Sequence, residues 1–495
     1  MSSRQSLSSP PGFQLPSLGG LADGIDAVGG EQDVIELTYH DTPDLRLARA
    51  GATLLYRADD GWLVTLGRGS AADPERPRHE YRFEGHASEP PAAALDLVRA
   101  LVRTSKVGPV ARLRTRRRPV DLRDASGKTL GEVLDDEVTV LAGGRVAARF
   151  REVELVVDDV APEGLTEALH SRLRAAGAGP PDPSPQIVRA LGWRALEPPD
   201  VAVVHRLGPA PTAGDVIRHA LAASVARLVA HDPGVRLGDD PEDVHQARVA
   251  TRRLRSDLRT FRDLLDADWT QSLRRDLKGV GHDLGAVRDT EVLLDRLRAH
   301  AERLPTPDQP PAKKIIQRLL QRWDEARAEL HEALASTRYA ELLDRLVEAA
   351  REPALLPDAE GPAADLIPPL ASHPWEKLRI TVDDLPEDPS DEQLHEVRIQ
   401  AKRCRYAAEA VAPAIGKRAR AFAKAVAALQ DILGEHQDAV VAEAWLRDVA
   451  STAMGREVFV AGQLASLERL EIDRTRAAWG AVWGAASKKK LRQWL

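Results

Sequence analysis

From about residue 213 onward, apolar residues recur at three- and four-residue intervals, the period of a helix with one buried stripe. The pattern holds over residues 213–230, 241–265, 269–283, 290–303 and 312–348, and again over 392–411, 417–433, 438–449 and 456–486. Residues 352–374, rich in Pro and Ala, separate the two groups and read as a loop. Before residue 196 the texture differs. Short runs with strand character lie at 52–66, 78–83, 110–118, 129–141 and 146–157, broken by turn sequences at 58–61 and 142–144. Two helical stretches, near 92–103 and 162–176, interrupt them. The chain is therefore expected to be α+β with mainly antiparallel strands, followed by an all-α region, with Pro-rich stretches at 176–186 and 197–200 between them. The expected domains are 1–200 and 208–490, the second built from units at about 212–350 and 375–486.

Those two units rest on an internal repeat. Residues 244–255, VHQARVATRRLR, return 150 positions later as 394–405, LHEVRIQAKRCR. On a helix His245, Arg248, Arg252, Arg255 and Arg259 fall within an arc of roughly 80°, and Ala247, Ala250, Leu254, Leu258 and Phe261 lie opposite. The second copy gives a row of His395, Arg398, Lys402 and Arg405 backed by Val397, Ala401, Cys404 and Ala408. The repeat continues as LGAVRD at 284–289 and LGEHQD at 433–438, which suggests a second helix ending near the Gly and a third entered through an Asp-bearing turn. A solvated helix face is the ordinary reading of such rows. That face normally mixes signs, whereas five positions of the first row hold no acid, and like charges so close are destabilising unless an anion offsets them. Two such rows brought together would line a groove for a long polyanion, with Arg suited to bidentate phosphate contacts and Lys acting as a point charge.

Composition narrows this picture. The net charge of −7, from 69 basic and 76 acidic residues, argues against a generic nucleic-acid binder, so any anion site is local. Aromatic residues make up only 4% and none interleave with the basic rows to stack bases, which disfavours nucleic acid further. The single cysteine, Cys404, excludes an internal disulfide and sits on the apolar side of its helix, where it reads as packing. No apolar run is long enough to span a bilayer and no secretory leader is evident, so a cytosolic protein with no membrane partner is expected.

The order VHQARVATRRLR, LGAVRD, LHEVRIQAKRCRY and LGEHQD resembles the CHAD domain, the conserved histidine α-helical domain, over about residues 212–486. The resemblance implies two pseudo-symmetric four-helix bundles around a basic cavity that binds inorganic polyphosphate and can target proteins to polyphosphate granules. One departure is Glu409, which stands at the position equivalent to Arg259.

In the strand-rich part, Arg112, Arg114, Arg116 and Arg118 share a parity, as do Arg78, Glu80 and Arg82, and Glu152 with Glu154. Alternation alone is equally the polar outer face of a sheet. The order YHDTPDLRLARAGATLLYR, GWLVTL, RHEYRF, RLRTRRR, GEVLDDEV and REVELVV is similar to the CYTH domain of the triphosphate tunnel metalloenzymes, over about residues 10–196. That family implies an eight-stranded antiparallel tunnel in which basic residues hold triphosphate and carboxylates hold Mg²⁺ or Mn²⁺ for attack by water. By this resemblance Arg57, Arg114 and Arg116 match triphosphate-binding positions, and Glu80, Glu132, Glu152 and Glu154 match metal-binding ones. The departures are substantial. Residues 1–9 lack the family's E-x-E-x-K signature, and Leu55, Tyr56 and Thr65 replace expected cations. The expectation is a polyphosphate-binding protein with a catalytically impaired tunnel. Its rival is a metal-dependent hydrolase of triphosphate or nucleoside triphosphates that uses the helical part to localise substrate.

Overall fold

The computed structural model describes residues 3–495 except 22–23, 68–78, 143–144, 183, 185, 202–203 and 205. The expected strand position of Arg78 lies outside the described residues. The chain divides into two units, one ending at Asp200 and one running from Val201 to Leu495. Among the described residues no helix is long and apolar enough to cross a membrane.

Among the described residues the first unit is an antiparallel sheet of nine strands: β1 (Ser3–Ser9), β2 (Ile25–Gly29), β3 (Asp33–Asp41), β4 (Thr53–Arg57), β5 (Gly61–Leu66), β6 (His79–Phe83), β7 (Gly108–Asp124), β8 (Thr129–Ala142) and β9 (Arg145–Val157). Their order is β1-β9-β8-β7-β3-β4-β5-β6, with β2 on β7. Short helices α1 (Arg46–Arg49), α2 (Ala92–Leu97) and α3 (Arg99–Val102), then α4 (Leu165–Ala175) and α5 (Gln186–Leu191), complete the unit.

Residues opposite one another in a ladder project to the same side, so the register assigns the faces. Ser8 lies opposite Glu152, Glu152 opposite Asp136, and Asp136 opposite Arg117. Arg117 lies opposite Asp33; further along β3, at the same parity, Leu37 lies opposite Arg57. This face also carries Glu132, Glu154 and Glu80, and part of it is an apolar core in which Tyr39, Leu113, Val138 and Val140 pack on Ile187 and Val188 of α5. The other face buries Leu7, Leu122, Val133, Val153 and Leu155 beneath Leu165, Leu169 and Leu173 of α4.

The second unit is helical: α6 (Ala213–Leu237), α7 (Pro241–Thr260), α8 (Ala267–Glu302), α9 (Gln309–Ala335), α10 (Thr337–Arg351), α11 (Ala363–Asp383), α12 (Asp391–Ile415), α13 (Lys417–Thr452) and α14 (Arg456–Ala486). The repeat is visible in how helices start. Asp240 caps α7 by accepting from the Glu242 amide, and Ser390, at the equivalent place, caps α12 in a capping box with Gln393.

Three sequence expectations are corrected here. The helix expected to end near Gly285 continues through Asp289 as the 36-residue α8, and α13 does the same through Gly434 and Asp438. One interior glycine costs only about 1 kcal/mol, which flanking apolar packing overrides. The stretch expected as a loop at 352–374 contains the start of α11, which holds Pro368, Pro369 and Pro374. The single segment expected over 312–348 breaks at Ser336, whose side chain caps α10.

Packing crosses the repeat. Leu294, Leu297, Ile315 and Leu319 from α8 and α9 share one core with Leu446, Val460 and Leu464 from α13 and α14. A second core joins Trp375, Leu378, Val397, Cys404, Phe422 and Leu429 of α11, α12 and α13. Cys404 is fully buried and burial pushes its thiol far up, as the packing reading expects.

Candidate polyanion-binding site

The helical period that buries Ala247, Ala250, Leu254 and Leu258 of α7 necessarily turns Arg248, Arg252, Arg255 and Arg259 the other way; Val397, Ala401 and Cys404 do the same for Arg398, Lys402 and Arg405 of α12. The two helices meet around Tyr406. The Arg252 guanidinium lies 5.4 Å from the centre of that ring and the Arg405 guanidinium 5.8 Å. Glu409 ties the pair together, 2.8 Å from Arg253 of α7 and 2.8 Å from Arg405 of its own helix. The residue that departs from the repeat is thus an interhelical clasp. It also means that Arg405 already has an acidic partner, and it reaches Gln430 as well, at 3.3 Å.

Arg248, Arg252, Arg398 and Lys402 converge into one cluster. Burial, then the charges of Arg398, Arg252 and Arg248, push the Lys402 ammonium down to about 7. Arg252 is depressed likewise, first by burial. The Nε atoms of Arg252 and Arg398 are buried with no hydrogen-bond partner, as are those of Arg255 and Arg274. An acid is near: Asp289 lies 2.8 Å from Arg248 but is largely exposed. Buried cationic donors without acceptors are costly, and an anion removes that cost.

Arg255 and Arg259 extend the surface into a second cluster that the repeat does not reveal. Burial, then Arg403, Arg274, Arg255 and Arg262, lowers Arg259 to about 10, which still leaves it cationic at neutral pH. Arg403 is one residue off the expected row and Arg274 comes from α8, so helical periodicity within α7 and α12 gives no signal for either. His245 is half-buried, and burial followed by Arg288 lowers its imidazole. His395 bonds Gln437 of α13 at 2.5 Å. His436 of the LGEHQD motif is buried and spans Thr475 and Asp391, both at 3.0 Å, which marks it as a packing element.

The sheet unit treats its expected site residues differently. Arg114 lies opposite Glu36 and Thr139, and Arg116 opposite Val34 and Glu137, so both project from the face opposite Arg57. The expected convergence of Arg57, Arg114 and Arg116 on one triphosphate is corrected by this register. Arg114 is instead 2.7 Å from Glu36, and Arg57 donates to both oxygens of Asp59 at 2.8 Å. That hydrogen bond is the main reason the Arg57 guanidinium is held above its usual range.

The implied Mg²⁺ or Mn²⁺ does not fit the donors present. Glu80, Glu132, Glu152 and Glu154 share a face, yet among the described residues no three His, Cys, Asp or Glu side chains gather in a group that could hold a metal. Glu152 accepts from Gln186 at 2.8 Å and from Arg189, both on α5, while Glu80 is 3.0 Å from Arg82. Ser6 and Ser8 stand opposite Glu154 and Glu152 on β1, where carboxylates would be needed. Sequence reasoning missed Arg117, which is 2.7 Å from Asp136 on this same face, and Arg189.

The model of the CHAD domain matches residues 219–447 and that of the CYTH domain residues 22–179. Uncharacterized proteins from two strains of Mycobacterium tuberculosis are 32% identical over 496 residues, covering 93% of this chain and 91% of theirs. Among solved structures, PptA from Streptomyces chartreusis is 24% identical with a TM-score of 0.47, covering 55% of this chain and 99% of that one. The CHAD domain from the plant Ricinus communis is 28% identical with a TM-score of 0.46, covering 57% and 96%. The antiparallel sheet coincides with the CYTH match and the repeated helical unit with the CHAD match. The chain belongs to the family of proteins that carry a CYTH domain followed by a CHAD domain.

Proposed function

We propose that this protein binds inorganic polyphosphate through the cationic surface of α7 and α12, and that its sheet unit does not turn over triphosphate. The observation that carries the first part is the cluster of Arg248, Arg252, Arg398 and Lys402, where buried Nε atoms lack acceptors and like charges depress one another. A chain of phosphates supplies acceptors for the guanidiniums and negative charge for all four groups.

Lys402 makes the binding pH-dependent. Its ammonium loses its proton near pH 7 in the free protein, and a bound anion raises that value, so binding takes up a proton above pH 7. Affinity for long-chain polyphosphate is expected to fall by up to about tenfold per pH unit between 7 and 9 for this single linked proton. Titration calorimetry in two buffers of different ionisation enthalpy measures the uptake. Lys402→Met should abolish it, and an unchanged uptake in that variant would remove Lys402 from the site.

The second part rests on the donors of the sheet unit, where Glu152 is held by α5 and the strand opposite it offers serines. Phosphate release from triphosphate with Mg²⁺ or Mn²⁺ is expected to stay at background. Clear turnover that Glu152→Gln abolishes would restore the hydrolase reading.

A further inference from the structure

The arginines displaced from the Arg57 face form a surface of their own. Arg112, Arg114, Arg116 and Arg118 are all exposed on β7, while of the intervening residues Leu113 and Thr115 are buried and Arg117 is half-buried toward the other face. Alternate residues of a strand repeat about every 6.8 Å, so the row is about 20 Å long. Arg149 of β9, opposite Thr139, adds a fifth exposed cation to the same face. Among the described residues two acids share that face without a closer claim elsewhere: Glu36, paired to Arg114, and Glu137. Asp135 is buried against Arg151, 2.6 Å away. Arg112, Arg116 and Arg118 have no ion-pair partner among the described residues. At its Arg118 end the row opens on a cavity of about 740 Å³, lined also by Phe13, Gln14, Gln32 and the Asp135–Arg151 pair.

A solvated sheet face on a chain of net charge −7 is expected to mix signs. Five arginines against two glutamates do not. Like charges one alternation apart repel, and a linear anion laid along the strand offsets them all at once. The positions opposite the row are Thr38, Glu36 and Val34 on β3 and Leu141, Thr139, Glu137 and Asp135 on β8, none of them aromatic. Tyr56, opposite Thr38, and Phe13, in the cavity, stand only at its two ends, so bases could not stack along it, which favours an inorganic chain over a nucleic acid.

We propose that the outer face of β7 is a second polyanion-binding surface, whose ligand is an inorganic polyphosphate chain lying along Arg112, Arg114, Arg116 and Arg118. It is independent of the helical site and does not require the sheet unit to be catalytic.

The test uses full-length protein and long-chain polyphosphate at low salt. With Arg252→Glu and Lys402→Glu removing the helical site, a weaker, salt-sensitive binding should remain. Adding Arg112→Glu, Arg116→Glu and Arg118→Glu should reduce it at least tenfold, with the melting temperature unchanged. In the otherwise native protein, those three substitutions should lower the number of phosphates covered per chain and spare the tight phase. Residual binding indifferent to the triple reversal overturns the proposal, as does no residual binding at all. Equal competition by single-stranded DNA of matched charge overturns the assignment to polyphosphate. If the helical reading were itself wrong, Arg252→Glu and Lys402→Glu would leave the tight phase intact, an outcome separate from the response to the β7 reversals.

Discussion

Arg252→Glu combined with Lys402→Glu should weaken polyphosphate binding by at least about 100-fold while leaving helicity intact. Each position supplies charge-assisted contacts worth about 1.5–3 kcal/mol, and two reversals also place acids beside Arg248 and Arg398. Folding should tolerate the change, because both side chains project opposite the apolar stripe and the reversals relieve repulsion among like charges. Circular dichroism checks the fold and calorimetric titration the affinity. The native protein should bind less tightly as salt rises, because counterions are released when cations meet a linear polyanion, and the double variant should have a shallower salt slope. Native-like affinity in a folded double variant would eliminate the α7–α12 surface as the site.

The second large effect concerns stability. Asp257 of α7 has no exposed surface and neither carboxylate oxygen has a hydrogen-bond partner. Burial pushes its carboxyl up to about 7, with Arg253 opposing and Glu409 adding to the rise. The unfolded value is about 3.9, so the folded state resists ionisation that the unfolded state accepts. Below pH 4 the group is protonated in both states and costs nothing through linkage. Between 4 and 7 stability falls by about 1.4 kcal/mol per pH unit, and above 7 the loss levels off near 4 kcal/mol. Asp257→Asn should therefore raise the melting temperature by several degrees at pH 8 and by little at pH 4. The repeat offers a second variant, since the equivalent position in α12 is the buried Ala407; Asp257→Ala should show the same pH trend. A melting difference that does not change with pH would mean that Asp257 is paired or hydrated in solution.

Much of this fold can be read from the residues. The rows on α7 and α12 follow from helical period, and the strands at β7, β8 and β9 from alternation. Other elements give weaker signals. β1 is a run of Ser, Arg and Gln from which Leu7 enters a core, and it exists as a strand because β9 pairs with it. Gly285 and Gly434 look like helix ends, yet in the fold they bring the backbone of α8 and α13 beside Arg248 and Arg398, where an added Cβ would lie 3.8 Å from each Nε. Alternation shows that Arg114 and Arg116 share a face but not which face, because that depends on the partner strands and their register. The same limit hides Arg274 and Arg403, whose place in the site is set by helix packing.

The core that joins α8 and α9 to α13 and α14 ties the two repeats into one cooperative folding unit. Part of each repeat's hydrophobic face is closed by the other, so a chain cut between α10 and α11 should yield halves that regain full structure when mixed, as swapped partners do. Amides at Leu297 and Leu446 should exchange with solvent through the same global opening.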